Sequence, residues 1–120
     1  FVSACGALVV ELTPDLHDHS VAYTSHLPQV VASALSVLAV EADATAAAGP
    51  GFASATRVAG GAPDMWRDIF QTNGPEIGVA LTELGARLQK LGSELQGGNA
   101  AALLATLEQA RRLRSGEPTS

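Results

Sequence analysis

The stretch of this chain that most constrains its fold starts with a cluster of histidines and continues into an uncharged apolar run. His17, His19 and His26 are the three histidines, and residues 29–40 carry no charged side chain. Apolar residues cover nearly every face of a helix drawn over this run, which predicts a central, buried helix. The run is too short and too interrupted for a transmembrane span. We therefore expect a helical core here, with titratable groups at its entrance.

The composition favours helices packed over small side chains. The chain has 120 residues, of which 47% are hydrophobic but only 4% aromatic, so the core must consist of Ala, Leu and Val. The net charge of −5 argues against nucleic acid or an anionic membrane as a partner. The single cysteine, Cys5, cannot form an internal disulfide, and nothing points to secretion, so we expect a cytoplasmic location.

The first residues of the chain are predicted to belong to a different structural unit. Ala7–Leu12 is a short apolar run after Gly6, which predicts a buried strand. One strand is not stable alone, and the chain starts at Phe1 in the middle of a pattern. We therefore expect residues 1–13 to be the tail end of another domain and residues 14–120 to form a helical domain.

Prolines, glycines and capping residues divide the helical part into five or six helices. Thr13-Pro14 starts a helix that should run to about Leu27, and Pro28 should kink or restart it. The later segments are a short one over residues 52–59, helices opened by Pro63 and by Pro75, and a last helix capped by Asn99.

The helix opened by Pro75 carries aliphatic residues at alternating spacings of four and three: Ile77, Leu81, Leu84, Leu88, Leu91 and Leu95. This heptad-like seam fits either a core within the chain or a subunit interface, and both remain open. In the last helix we expect Leu103, Leu104, Leu107 and Ala110 to face inward.

His26 is one candidate for chemistry. A metal site would need histidines four apart or carboxylates at suitable spacing, and neither pattern is present. His26 is therefore either a core histidine with satisfied hydrogen bonds or, at the mouth of an apolar helix, a donor to a ligand.

Arg57 is the other candidate, because no Lys or Arg precedes it and its neighbours are small. A guanidinium can hold a carboxylate through two hydrogen bonds. The alternative is a surface ion pair, for example with Asp64 or Asp68. Trp66, in the following segment, is expected in the core rather than at a ligand.

Two blocks of sequence resemble the prephenate/arogenate dehydrogenases of tyrosine biosynthesis. The first is His17-Asp18-x-x-x-Ala22-x-x-Ser25-His26-Leu27-Pro28, and the second is Gly51-Phe52 with Thr56-Arg57-Val58-Ala59 and Pro63-x-Met65-Trp66-x-Asp68-Ile69-Phe70-x-x-Asn73. Their order and spacing match over roughly residues 6–73.

The resemblance implies an all-α domain of the prephenate dehydrogenase type. In this family a Rossmann-like, dinucleotide-binding domain precedes a helical domain that binds substrate and dimerises. Residues 1–13 would end the first domain, and residues 14–120 would form the second. The family oxidatively decarboxylates prephenate to 4-hydroxyphenylpyruvate, or arogenate to tyrosine, with NAD or NADP as cofactor.

The resemblance also implies a substrate-binding set. Arg57 matches the arginine that holds a substrate carboxylate, His26 matches the histidine of the pocket wall, and Gly51 matches the glycine-rich turn beside it. The family's catalytic histidine and glycine-rich cofactor loop belong to the preceding domain, so we expect no catalytic residue and no metal site in this chain, which alone should be inactive.

Gln29 departs from the family pattern, because many members have a second histidine there. In some members that position affects substrate recognition and inhibition by tyrosine. The resemblance therefore leaves open whether prephenate or arogenate is the substrate and whether tyrosine is a feedback inhibitor. The sequence also leaves a second class of function, a non-catalytic helical module for dimerisation or ligand sensing.

Overall fold

The computed structural model describes residues 13–116, in which every regular element is helical. The predicted all-α fold is confirmed, whereas the strand predicted at Ala7–Leu12 lies outside the described residues. The described chain forms two compact units, residues 13–82 and residues 83–116. The helices are α1 (Pro14–Val21), α2 (Leu27–Glu41), α3 (Pro50–Thr56), α4 (Pro63–Thr72), α5 (Gly74–Gln96) and α6 (Ala101–Ser115), with a π-helical turn at Ala22–His26 and a 3-10 turn at Thr45–Ala47.

Helix α1 starts as predicted but ends earlier. Thr13 is its N-cap and accepts a hydrogen bond from the backbone nitrogen of Leu16 at 3.2 Å, while Pro14 occupies the first turn, where no N–H donor is needed. The helix ends at Val21 and not near Leu27.

The π-helical turn lies directly before Pro28. Because proline has no N–H and its ring clashes with the carbonyl four residues earlier, the chain cannot run through it as a regular helix. The backbone nitrogen of Leu27 instead bonds to the oxygen of Ala22, and α2 restarts with Pro28 in its first turn. The predicted restart at Pro28 is confirmed, and the wide turn places His26 immediately before α2.

Helix α2 is buried only in part, so the prediction of a helix buried on all sides is wrong for residues 13–116. Its buried residues, Leu27, Gln29 and Ala32, lie in the first half. In the second half, Leu38 is 61% and Val40 65% exposed. An apolar surface of this kind favours coverage by other polypeptide, because isolated soluble chains rarely leave such patches open.

Helices α3 and α4 contain most of the second sequence block. Helix α3 packs against α2 and begins at Pro50, two residues before the predicted segment. Helix α4 begins at Pro63 as predicted and ends at Thr72, with Asn73 as its C-cap.

The aliphatic residues of the predicted seam on helix α5 are buried to different extents. Ile77 is buried and Leu84 and Leu91 are half-buried, but Leu81, Leu88 and Leu95 are exposed. In α6, Leu103 is half-buried, whereas three residues predicted to face inward, Leu104, Leu107 and Ala110, are exposed, so that prediction is wrong within the described chain. No helix among residues 13–116 has both the length and the apolar content needed to cross a membrane.

Candidate functional site

The loop that follows Arg57 is tied to the first half of α2. The Gln29 side chain donates a hydrogen bond through Nε2 to the carbonyl oxygen of Gly60, and the backbone nitrogen of Gly60 donates to Ser33 Oγ at 3.2 Å. Gln29 is only 7% exposed, so its amide needs such a partner. Two side chains one turn apart on α2 therefore hold both polar groups of one loop residue.

Gly61 completes this anchor because no other residue fits its position. Its φ of +102° is unfavourable for residues with a Cβ atom. A Cβ atom there would lie 2.7 Å from Trp66 Nε1, 2.9 Å from Trp66 Cδ1 and 3.4 Å from Gln29 Nε2. The backbone of the loop is thus pressed between the indole and the Gln29 amide.

The aromatic rings form a row beside this loop. The ring centroid of Trp66 lies 5.9 Å from that of His26, with the planes at 88°, and 5.6 Å from that of Phe70. The first arrangement is an edge-to-face contact, which aromatic pairs favour. Trp66 is half-buried, so it belongs to the wall of an open site and not to a closed core.

Asn73 connects the end of α4 to the histidine-containing segment. Its Nδ2 atom donates to the backbone oxygen of Asp18 at 2.9 Å and lies 3.2 Å from His26 Nδ1. Asn73 is 7% exposed. In the sequence Asn73 is the last residue of the second block that carries the family resemblance, and nothing in its local pattern predicted a contact 47 residues away.

An open, largely apolar cavity of about 510 Å³ lies along α2. Gln29, Gly60, Trp66 and Phe70 contribute to its wall, together with aliphatic residues of α2. Apolar walls with few polar groups are typical of sites for small organic molecules.

The structure brings together some of the predicted site residues but not all of them. His26 and Gln29 meet around Trp66, and Arg57 lies at the C-terminal end of α3, three residues before Gly60. Gly51 lies in the first turn of α3 and lines a separate hollow of about 330 Å³ together with Phe52. Its position has open space around it, so packing does not require glycine there.

The Arg57 side chain is exposed, and among residues 13–116 no ion pair or hydrogen bond involves it. Asp64, one of the two partners considered from the sequence, forms its ion pair with Arg67 at 3.0 Å. The guanidinium donors are therefore exposed to solvent and accessible to a ligand.

The other two histidines form local contacts. His19 Nδ1 lies 3.3 Å from Glu76 Oε2, and His17 Nδ1 lies 3.5 Å from Asp18 Oδ1. Within the described range, no three His, Cys, Asp or Glu side chains come together as metal ligands would.

Residues 13–109 match a family model described as "Prephenate dehydrogenase, dimerization domain". The chain belongs to this family. Among curated proteins it is similar to the cyclohexadienyl dehydrogenase of Zymomonas mobilis, with 32% identity over 91% of the chain and 39% of the relative. It is also similar to the prephenate dehydrogenase of Bacillus subtilis, with 29% identity over 91% of the chain and 31% of the relative.

A solved structure has the same fold. The arogenate dehydrogenase of Synechocystis superposes with a TM-score of 0.75 and 27% identity, covering 96% of this chain and 45% of that one. The chain thus spans between about a third and a half of the proteins that it matches. The family predicted from the two sequence blocks is confirmed.

Proposed function

We propose that this chain is the substrate-binding and dimerising part of a dehydrogenase that oxidatively decarboxylates prephenate to 4-hydroxyphenylpyruvate in tyrosine biosynthesis. The match of residues 13–109 to the family model carries the proposal. The names of the two curated relatives support it, since both are dehydrogenases and one is a prephenate dehydrogenase.

Arg57 is the proposed anchor for a substrate carboxylate. Prephenate is a dianion, and the exposed Arg57 guanidinium has no carboxylate partner among residues 13–116. The following loop is fixed to α2 through Gly60, which limits the movement of the chain segment that carries the guanidinium. His26 and Gln29 are the proposed polar groups of the adjoining wall, and Gly51 the turn residue of the helix that ends at Arg57.

NAD or NADP is the proposed cofactor; when bound by the complete protein it would serve as the hydride acceptor for the oxidation, in which the ring carboxylate is lost as carbon dioxide. The sequence of this chain contains no glycine-rich phosphate loop, so its residues do not fit the role of a dinucleotide cradle. We propose that residues 1–13 end the cofactor domain, that residues 14–120 form the substrate and dimerisation domain, and that the protein acts as a cytoplasmic homodimer. Tyrosine is a candidate feedback inhibitor.

The test is NAD(P)-dependent oxidation of prephenate by the complete protein that contains this chain. The substitution Arg57→Ala should raise the KM for prephenate by about 30-fold, because the substrate carboxylate loses a charged partner that can donate two hydrogen bonds. Arg67→Ala is the matched control, since Arg67 already pairs with Asp64 and should leave the KM unchanged. If the KM for prephenate were unchanged in Arg57→Ala, Arg57 would not be part of the substrate site.

Arogenate is the second candidate substrate, because the matching solved structure is an arogenate dehydrogenase. The two substrates differ in the side chain, which carries a keto group in prephenate and an amino group in arogenate. Comparing kcat/KM for both with the complete protein decides between them. Absence of turnover with either substrate would favour a non-catalytic dimerisation or ligand-sensing module.

A further inference from the structure

The contact between Asn73 and Asp18 defines which way the Asn73 amide points. The atom next to the Asp18 backbone oxygen, at 2.9 Å, is Nδ2. A carbonyl oxygen can only accept a hydrogen bond, so the atom facing it must be the amino group and not the amide oxygen. A flipped amide would set two oxygens against each other in a nearly buried position, which is strongly unfavourable.

The orientation of Asn73 in turn determines the tautomer of His26. The same Nδ2 atom lies 3.2 Å from His26 Nδ1, and an amino group has a second hydrogen to donate there. Nδ1 must then act as an acceptor. A neutral imidazole that accepts at Nδ1 carries its proton on Nε2.

The surroundings of the ring leave that N–H available. The edge-to-face contact with Trp66 and the bond at Nδ1 restrict the ring's orientation, and no hydrogen bond within residues 13–116 involves Nε2. Nε2 lies across the ring from Nδ1, so its proton points away from Asn73.

We propose that Asn73 is a positioning residue that holds His26 as the Nε2–H tautomer, so that the histidine presents a hydrogen-bond donor to an oxygen atom of the substrate. Asn73 itself does not touch the substrate. The inference rests on the proposed function for the identity of the substrate, but the state of the imidazole can be measured without any turnover.

The first experiment reads the ring nitrogens of His26 by NMR in the complete protein labelled with ¹⁵N-histidine, with His26→Gln identifying the signals. In the unmodified protein Nδ1 should be the unprotonated nitrogen and Nε2 the protonated one. In Asn73→Asp an ionised carboxylate can only accept, so Nδ1 should become protonated. Gln71→Glu, which adds the same charge at an exposed site of α4, should leave both signals unchanged.

The second experiment measures steady-state kinetics with prephenate, at a pH where the spectrum of Asn73→Asp shows an unprotonated Nε2. Loss of the donor should raise the KM for prephenate on the order of tenfold. The KM for NAD(P) should stay the same.

Two results would overturn the inference: an unmodified protein with the proton on Nδ1, or altered ring signals in Asn73→Asp with an unchanged KM for prephenate. The first needs no variant, so it holds even if Asn73→Asp does not fold. Failure of the unmodified protein to oxidise prephenate would overturn the proposed function and the role toward that substrate, while the ring signals would still decide whether Asn73 sets the tautomer.

Discussion

Residues 13–82 and residues 83–116 use their side chains in different ways. In the first unit, polar side chains join segments that are far apart in sequence, as Gln29 does with Gly60 and Asn73 with Asp18. These hydrogen bonds are partly buried, and a buried polar group that loses its partner destabilises the fold. They therefore favour one arrangement of the helices over others.

In the second unit the ion pairs Arg87–Glu83 and Arg111–Glu108 join residues within one helical turn. Such pairs add little stability and do not fix one helix against another. Leu84, Leu91 and Leu103 are half-buried, but five other leucines of this unit are exposed in the described chain: Leu88, Leu95, Leu104, Leu107 and Leu113. The first unit also exposes apolar residues, such as Leu38 and Val40, so the contrast lies in the polar contacts. In the first unit hydrogen bonds between distant segments surround a site, whereas the apolar surface of the second is suited to another polypeptide.

The largest effect should come from placing a charge on the exposed leucines. Leu104→Lys should leave the folded chain almost as stable as before, because Leu104 is already 61% exposed. In a dimer interface the same charge would be buried without a partner, which raises the dissociation constant on the order of 100-fold. Sedimentation equilibrium of the complete protein measures it.

Gln109→Lys is the matched control, because Gln109 is an exposed residue on the opposite side of α6. It should leave the dimer intact. If Leu104→Lys remained as dimeric as the control, the surface of α6 would not be the interface, and the contrast between the two units would lose its functional meaning.

A smaller effect is expected from the loop anchor of the first unit. Gly61→Ala should lower the free energy of unfolding by about 3 kcal/mol, because the new Cβ adds backbone strain and meets the Trp66 indole. It should also raise the KM for prephenate if Arg57 depends on this loop.

Gly60→Ala separates the two causes of that loss. Gly60 also has a positive φ, +84°, but a Cβ there has nothing within 4 Å, so only the backbone term of about 1 kcal/mol remains. Thermal unfolding of both variants gives the comparison. Equal losses would show that contact with Trp66 contributes nothing to the anchor.

The range of each interaction along the chain determines whether the sequence could predict it. The starts of α1 and α4 were predicted because the signals at Thr13-Pro14 and Pro63 act within one turn. The bond from Gln29 to Gly60 spans 31 residues and the contact between Asn73 and His26 spans 47, so no local pattern contains them. The exposure of Leu38 could not be predicted either, because hydrophobicity shows that a residue favours burial but not which chain covers it.

The smallest effect tests the ion pair between Arg111 and Glu108 in the second unit. Hydrogen bonds from Arg111 lower the pKa of Glu108, slight burial opposes this, and Arg112 lowers the pKa further. A carboxyl whose pKa is lower in the folded state stabilises the fold above its unfolded pKa, and that contribution disappears as the pH falls through the folded pKa. Because Glu108 is exposed, the loss on acidification should be slight and should reduce only the helicity of α6.

An NMR titration of the Glu108 carboxyl in the complete protein measures this local effect. Arg111→Gln should bring its midpoint back toward the ordinary range, whereas Arg114→Gln, on the same helix but without an ion pair to Glu108 among residues 13–116, should not. Neither variant should change the ring signals of His26 or the KM for prephenate, because the ion pair between Arg111 and Glu108 joins two residues one turn apart on α6. A change at His26 in Arg111→Gln would show that the two units are energetically coupled, and the contrast drawn between them would then have to be abandoned.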